Sequence, residues 1–484
     1  MLSMQSLLER YATAGYFDEY ADGSGRPRGH YAALARTLAG IDWSDFRHRV
    51  ELVNSVLLQR GVTFTVYADA RGTERIMPFD LIPRVIPKSE WDLIERGMKQ
   101  RVRALNAFLH DVYHEQRILR EHRVPYDLVY SSRFYCREMV ELDVPRNVYI
   151  HVSGIDLIRG DDGTYYVLED NLRTPSGISY VLENRDALKR SFPQLFERYL
   201  PRPVDDYPER LRNALRLAAP AHVDNPTIVV LTPGIYNSAY FEHAMLARRM
   251  GAELVEGQDL LVRDNVVYMK TTKGLARVDV IYRRIDDDFV DPLYFRPDST
   301  LGVAGLMNAY RAGNVNLANA IGTGVADDKA IYPYVPEMIR FYFNEEPVLA
   351  NVPTFLCNDT VQCEHVLSHL DELVVKNTNQ SGGYGMLMGP YASAGERERF
   401  AEAIRANPRE FIAQPIIPLS CSPTIVGDDI VPRHIDLRPF VLYADDVEVP
   451  PSALTRVALK EGSLVVNSSQ GGGTKDTWVM ETDS

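Results

Sequence analysis

The chain is poor in several features that would each define a functional class. Its four cysteines, Cys136, Cys357, Cys363 and Cys421, are scattered with no C-x-x-C pair. That disfavours a disulfide framework and a zinc knuckle and leaves them as small buried hydrophobes. No apolar run approaches a membrane span, and residues 1–20 carry Glu9, Asp18 and Glu19 without a long apolar stretch. We therefore expect no membrane partner and a cytoplasmic location. Basic residues are outnumbered, 53 Lys and Arg against 66 Asp and Glu, for a formal net charge of −13. Nucleic acid wants clustered positive charge, so it is not an expected partner. G-x-G-x-x-G is absent, and so is G-x-x-x-x-G-K-S/T, because Gly471-Gly472-Gly473-Thr474-Lys475 runs in the wrong order. His365 and His369 have helical i, i+4 spacing, but no Glu stands at 366, which excludes a zincin. Ser176 and Ser381 have no legible His/Asp partnership, and no repeat or low-complexity tract is present.

What remains is length and an ordinary globular balance. A chain of 484 residues, 45% apolar and 25% charged, exceeds what one core usually supports, so two or three packed units are expected. Residues 1–60 read as a helical extension broken by the loop 22–29. A helix is expected from Ser89, with Ile94, Met98, Val102, Leu105, Phe108, Leu109 and Val112 as its apolar stripe. Strand-like runs at 148–158 and 164–171 are joined across Gly160-Asp161-Asp162-Gly163, a hairpin signal. After a Pro-rich charged linker at 200–209, the strand, helix, strand order of 227–231, 240–250 and 253–255 predicts a small parallel-sheet unit over about 220–320. A helix over 330–344, strands at 373–376 and 411–414 flanking a glycine loop, and antiparallel sheet at 434–443 and 454–467 complete the expectation.

Three groups of residues carry chemistry. On the second hairpin strand Glu169 and Asn171 share a face while Asp170 points away, and a two-residue turn at Asp162-Gly163 sets Asp156 across from Glu169. Two carboxylates and an amide suit a hard cation such as Mg²⁺; a solvated polar sheet face is the competing reading. Lys376 ends the strand-like Leu373-Val374-Val375-Lys376 and runs into Asn377-Thr378-Asn379-Gln380-Ser381-Gly382-Gly383-Tyr384-Gly385. A lysine beside unobstructed loop N–H groups can meet a phosphate, though a flexible turn has the same composition. Lys329 stands where a helix is expected to start, a position suited to anions and equally to a solvated lysine. Asp436 and Arg438 share a strand face with Arg456 on a neighbouring strand, either as surface ion pairs or as charge that stabilises a transferring phosphate. Arg283-Arg284, ahead of Asp286-Asp287-Asp288, reads as a carboxylate receptor or as a salt-bridged loop.

The order Asp156, Glu169-x-Asn171, Lys329, Lys376 with Ser381-Gly382-Gly383-Tyr384-Gly385, Gln414, then Asp436-x-Arg438 resembles a circularly permuted ATP-grasp protein. In ordinary ATP-grasp ligases the two nucleotide lysines precede the Glu-x-Asn metal motif; here they follow it, as in glutathionylspermidine synthetases. Closer still is the resemblance to bacterial relatives that share the runs 168–177, Leu-Glu-Asp-Asn-Leu-Arg-Thr-Pro-Ser-Gly, and 322–329, Gly-Thr-Gly-Val-Ala-Asp-Asp-Lys. The resemblance implies an α+β circularly permuted ATP-grasp fold with a small α/β parallel-sheet unit at 220–320 in the pre-ATP-grasp role. It makes 61–215 the metal-binding part, completed by 426–484, and 325–425 the nucleotide lid. It implies Mg²⁺ on Asp156, Glu169 and Asn171, ATP phosphates on Lys329 and Lys376, a closing loop at Ser381, Gly382, Gly383 and Gly385, and Gln414 at the adenine-side hinge. Arg456, or in its place Arg438, would stabilise phosphoryl transfer. The implied reaction is ADP-forming ligation of a small-molecule or peptide carboxylate to an amine through an acyl phosphate. A non-catalytic ATP-binding scaffold and a phosphotransferase are the alternatives. One departure matters: glutathionylspermidine synthetases place an arginine two residues before the metal aspartate, and here that position is Gly154. Their glutathione and spermidine specificity is therefore not transferred.

Overall fold

The computed structural model describes residues 3–65, 74–379, 385–466 and 472–483. Among these, the largest sheet has nine strands in the order Ala350–Asn351, Tyr165–Asn171, Val152–Arg159, Asp429–Tyr443, Ala453–Val457, Gly473–Val479, Phe79–Ile86; Cys421–Val426 and Val447–Glu448 join it through Asp429–Tyr443. The hairpin and the C-terminal strands therefore belong to one sheet although about 260 residues separate them in sequence. The helix Lys88–Tyr113 packs on it, with all seven residues of the expected apolar stripe fully buried. Its start differs from expectation. Ser89 is not the cap: the helix begins at Lys88 behind Pro87, and the exposed Ser89 amide donates to Asp483 Oδ1 at 2.6 Å from the far end of the chain.

Four parallel strands, in the order Asn316–Ala318, Val280–Arg283, Ile228–Leu231, Glu253–Val255, form a second sheet. Beside it lies a three-stranded antiparallel sheet, Leu260–Arg263, Val266–Thr271 and Gly274–Val278, which the strand-helix-strand reading did not anticipate. Two consecutive residues with positive φ, Asp264 and Asn265, make its first turn. A four-stranded antiparallel sheet, Phe355–Leu356, Phe411–Pro415, Leu373–Asn377 and Met386–Met388, is backed by the helices Thr360–Ser368 and Ala394–Ala406. The N-terminal helices Met4–Arg10, Ala32–Ala39 and Trp43–Gln59 share a core with Phe79–Ile86 and Trp478. Glu19 pins this segment to the sheet: its buried carboxylate pairs with Arg84 at 2.6 Å and Arg159 at 2.9 Å.

Two expectations need correction. The helix expected over 330–344 begins only at Val335, after a 3₁₀ turn at Tyr332–Tyr334, because Pro333 and Pro336 confine regular helix to the residues that follow. Lys329 thus stands in a turn and gains nothing from a helix dipole. Of the four cysteines, all free, Cys363 is half-buried rather than buried.

Candidate nucleotide and metal site

The hairpin supplies the first wall. Asp156 does face Glu169, but through two departures from the simple register that cancel. The pairs Arg159↔Tyr165, Ile158↔Tyr166 and Leu157↔Val167 belong to a three-residue loop, closed by Gly160 N–H to Thr164 O at 3.0 Å with Gly163 at φ +78°. A bulge at Leu168 then restores the pairing Asp156↔Glu169 and Gly154↔Asn171. The bulge has a second effect: Leu168 and Glu169, neighbours in sequence, both line the cleft. A regular strand would turn one of them away. Asp170 points to the opposite side, where Arg101 holds it.

The second wall is the four-stranded sheet. Val374 pairs with Gln414 and Lys376 with Ile412, so Lys376 and Gln414 share a face, and Lys376 Nζ donates to Gln414 Oε1 at 2.7 Å. Lys329 arrives from its turn with Nζ 3.1 Å from Glu169 Oε1. Asp156, Glu169, Lys329, Lys376, Gln414 and Arg456 all line one open cleft of about 970 Å³. Beside these polar groups the lining includes an apolar slot of Ile158, Leu168, Met386, Met388, Ile417 and Leu464, in which Met386 pairs across the sheet with Lys376. Gly385, at φ +65°, enters the strand Met386–Met388, and its carbonyl accepts from the Asn377 amide at 3.3 Å. Ser381, Gly382 and Gly383 lie outside the described residues.

Behind the polar end is a buried charge cluster. Arg438 donates to both Asp156 oxygens, Nε to Oδ1 at 2.5 Å and Nη2 to Oδ2 at 2.8 Å, while Arg456 bridges Asp156, at 2.7 Å, and Asp436. Burial pushes the Asp156 carboxyl up, but the two guanidiniums outweigh it and hold it near about 2. Burial dominates for Asp436, which is raised despite Arg456. Burial also raises Glu169, yet Lys329 and Lys376 together outweigh it and lower the carboxyl. For Lys376, burial lowers the ammonium to about 8 against the opposing pull of Glu169. Asn171 lies two residue pairs beyond Asp156 and Glu169, and its buried Nδ2 has no hydrogen-bond partner among the described residues. Gly154, opposite Asn171, makes room for a neighbour: a Cβ there would stand 3.2 Å from Arg438 Cδ.

Arg283 and Arg284 neither line the cleft nor form a surface loop, but the expected salt bridge is present, with Arg283 paired to Asp287 at 2.6 Å. Both are buried; Arg283 donates to the carbonyls of Asn319, Ala320 and Ile285, and Arg284 to Pro175 O and Glu242. They fasten the parallel sheet to the hairpin exit. Sequence reasoning passed over Asp327 and the apolar slot. Only the alternation of Met386 and Met388 around Leu387 hinted at the slot, and nothing local marks Asp327 as buried.

Paired strands carrying a carboxylate pair, faced by Lys376 from a second antiparallel sheet and by Lys329 from a turn, make a cleft of the ATP-grasp kind, the fold of ATP-dependent ligases. Residues 83–458 match the family described as circularly permuted ATP-grasp type 2, and the chain belongs to that family. An uncharacterized protein of Synechocystis sp. is 54% identical over 475 residues, spanning 98% of this chain and 99% of that one. A Frankia casuarinae protein named "Putative glutamate--cysteine ligase 2-2" is 44% identical over 475 residues; the match takes in 98% of this chain but 54% of the Frankia protein. Among solved structures, the apo form of a glutathione synthetase-like effector from Globodera pallida shares the fold with a TM-score of 0.60 at 11% identity, covering 91% of this chain and 98% of that one. Among the described residues no helix is long and apolar enough to cross a membrane.

Proposed function

We propose that the chain is an ADP-forming carboxylate–amine ligase that makes an amide through an acyl phosphate. The observation that carries this reading is the convergence of Glu169, Lys329, Lys376 and Gln414, from four separate segments, on one cleft that also holds an apolar slot. In this reading the base of ATP occupies the slot, and Gln414 reads its edge. Lys329 and Lys376 take the phosphates, with the 381–385 loop closing over them.

The donor set fits a magnesium ion. Glu169 and Asn171 are hard oxygen ligands on one strand face, and turning the Asn171 amide by half a rotation puts its oxygen where an unpartnered buried nitrogen now lies. Asp156 is the weaker ligand of the three, because three hydrogen bonds from Arg438 and Arg456 already use most of its roughly four lone-pair directions. Bound there, Mg²⁺ would neutralise charge on the transferring phosphate. The chain's own part is positioning: Arg438 and Arg456 fix Asp156, Lys329 steers Glu169, and the lid keeps water from the acyl phosphate. The name of the Frankia protein accords with a ligase; glutamate and cysteine are not carried over, since the match spans 54% of that protein.

The test is product analysis by mass spectrometry after incubating Mg-ATP with pooled carboxylates and amines, comparing wild type with Glu169→Ala and Lys376→Met. ADP and phosphate should rise in step with one amide, and both variants should lose the signal. ADP without free phosphate would make the protein a phosphotransferase; ATP binding without ADP across the pools would make it a scaffold.

A further inference from the structure

The two cleft lysines belong to different elements, and one arginine outside the cleft ties those elements together. Lys376 ends a strand of the four-stranded sheet, where it pairs with Ile412. Lys329 stands in a turn, ahead of the helix that starts only at Val335. Its support is its neighbour Asp328, whose carboxylate is fully buried. Asp328 Oδ1 accepts from the Ala330 amide at 2.9 Å and closes a turn around Lys329, while the Asp328 carbonyl accepts from the Ile331 amide at 2.8 Å. A shift of that carboxylate therefore carries Lys329 with it.

The other oxygen, Oδ2, accepts from Ser132 Oγ at 2.7 Å and from Arg409 Nη2 at 2.8 Å. Arg409 comes from the 3₁₀ turn Pro408–Glu410, which runs directly into the strand Phe411–Pro415 beside Lys376. Its Nη2 uses a second hydrogen on Leu128 O at 2.8 Å, and its Nε donates to Ser131 Oγ at 2.9 Å. Nη1 lies 3.5 Å from Oγ1 of Thr378, a residue just past the lysine strand whose amide donates to Glu410 O at 2.8 Å. One guanidinium thus touches the turn under Lys329, the segment 128–131, and the end of the strand that carries Lys376.

Docking of the turn 408–410 is already served by Leu128 and Ser131. The bond to Asp328 adds something else, since it reaches the support of a cleft residue. A charge-assisted bond from a planar guanidinium to a buried carboxylate has a fixed direction, which a lysine at the same place would not impose. Arg409 itself is not among the residues that line the cleft. On these grounds, and resting on the reading of the cleft as a nucleotide site, we infer that Arg409 is a positioning residue: through Asp328 it holds Lys329 in register with Lys376, so that both ammonium groups meet one phosphate tail. Misplacement by about 1 Å can cost about a hundredfold in rate, so a brace of this kind carries weight although it touches no substrate.

The test is a double-mutant cycle on Mg-ATP affinity, with Arg409→Met and Lys329→Met made singly and together. Arg409→Met should weaken ATP about tenfold in the wild-type background and less than about threefold where Lys329 is already Met, because the contact it serves is then gone. Arg409→Lys, which keeps a charge on Asp328 without the fork, should recover part of the loss. Arg409→Met strands a buried carboxylate and can fail to fold, so the same cycle is run a second time with Arg409→Met/Asp328→Asn, which removes both charges. It should lose ATP affinity as the single variant does, with the same shortfall in the Lys329→Met background. ATP affinity within about twofold of wild type in either form overturns the inference. Equal losses in the two backgrounds overturn it too, since a purely structural ion pair would give that result. A wild type that binds ATP and releases no ADP removes the ligase reading and leaves the cycle to decide Arg409; a wild type that binds no ATP overturns both.

Discussion

Asp170 accepts two hydrogen bonds from Arg101, Nε to Oδ1 and Nη2 to Oδ2, each at 2.6 Å, on the face of the hairpin turned away from the cleft. Its neighbour Glu169 faces the cleft and Lys329. Two adjacent carboxylates therefore do different work, and substitutions should separate them. Arg101→Met strands a buried charge and should lower unfolding free energy by about 3–5 kcal/mol in urea melts. Glu169→Gln should change it by less than about 1 kcal/mol while abolishing the magnesium dependence of ATP binding. If Arg101→Met melts like wild type, the buried pair is not the anchor of this strand.

Arg456 separates Asp156 from Asp436, two buried carboxylates, and the charge of Asp156 helps to raise the Asp436 carboxyl. Arg456→Met leaves them facing each other with only Arg438 for relief. The variant should be several kcal/mol less stable at pH 8, since removing one partner of a buried ion cluster leaves charge uncompensated. Asp436 is already raised, mainly by burial, and would rise further without Arg456. A carboxyl raised in the folded state binds its proton before the unfolded one does, so stability is regained as pH falls toward the unfolded value near ~4. Denaturant midpoints of the variant and wild type should converge between pH 8 and pH 5; a constant gap would remove the like-charge argument.

Lys376 has a depressed pKa, about 8, caused first by burial. The neutral form binds a triphosphate less well, so ATP affinity should be full below that value and fall as pH rises through it. A phosphate tail favours the charged form, so binding near pH 8 should take up protons, read as a dependence of the calorimetric heat on buffer ionisation enthalpy. Lys376→Arg, charged throughout, should flatten both the affinity profile and the proton uptake; an unchanged profile would place the titration elsewhere.

The row Asp156, Glu169 and Asn171, proposed to hold the metal, was legible because its parts are local: a turn, a two-residue alternation and a Glu-x-Asn spacing lie within about twenty residues of one another. The register came out right although the turn had three residues, because the bulge at Leu168 returned what the longer loop displaced. No composition signal marks a bulge of this kind. Lys329 was found by its motif and misplaced by its structure: Pro333 and Pro336 move the helix start to Val335. The Asp156, Arg438, Arg456 and Asp436 cluster was visible as a strand pattern but not as a buried network. Its pairing depends on Asp429–Tyr443 lying between the hairpin and Ala453–Val457, which only tertiary structure decides.

The bulge gives a last prediction, because it turns both Leu168 and Glu169 into the cleft, where the proposed function gives Leu168 to the base and Glu169 to the metal and phosphates. Leu168 lines the apolar slot; Glu169 faces the lysines. Leu168→Ala removes side-chain area from a partly buried wall, about 1–2 kcal/mol of contact, so affinity should drop about tenfold. The loss should be the same for ATP, ADP and AMP, since the base is common to all three. Glu169→Gln should weaken ATP strongly, ADP less, and AMP hardly at all, because its effect works through the metal and the distal phosphates. Fluorescence titration of the three nucleotides against both variants gives six numbers whose pattern decides. A Leu168→Ala penalty confined to ATP would overturn the placement of the base against Leu168.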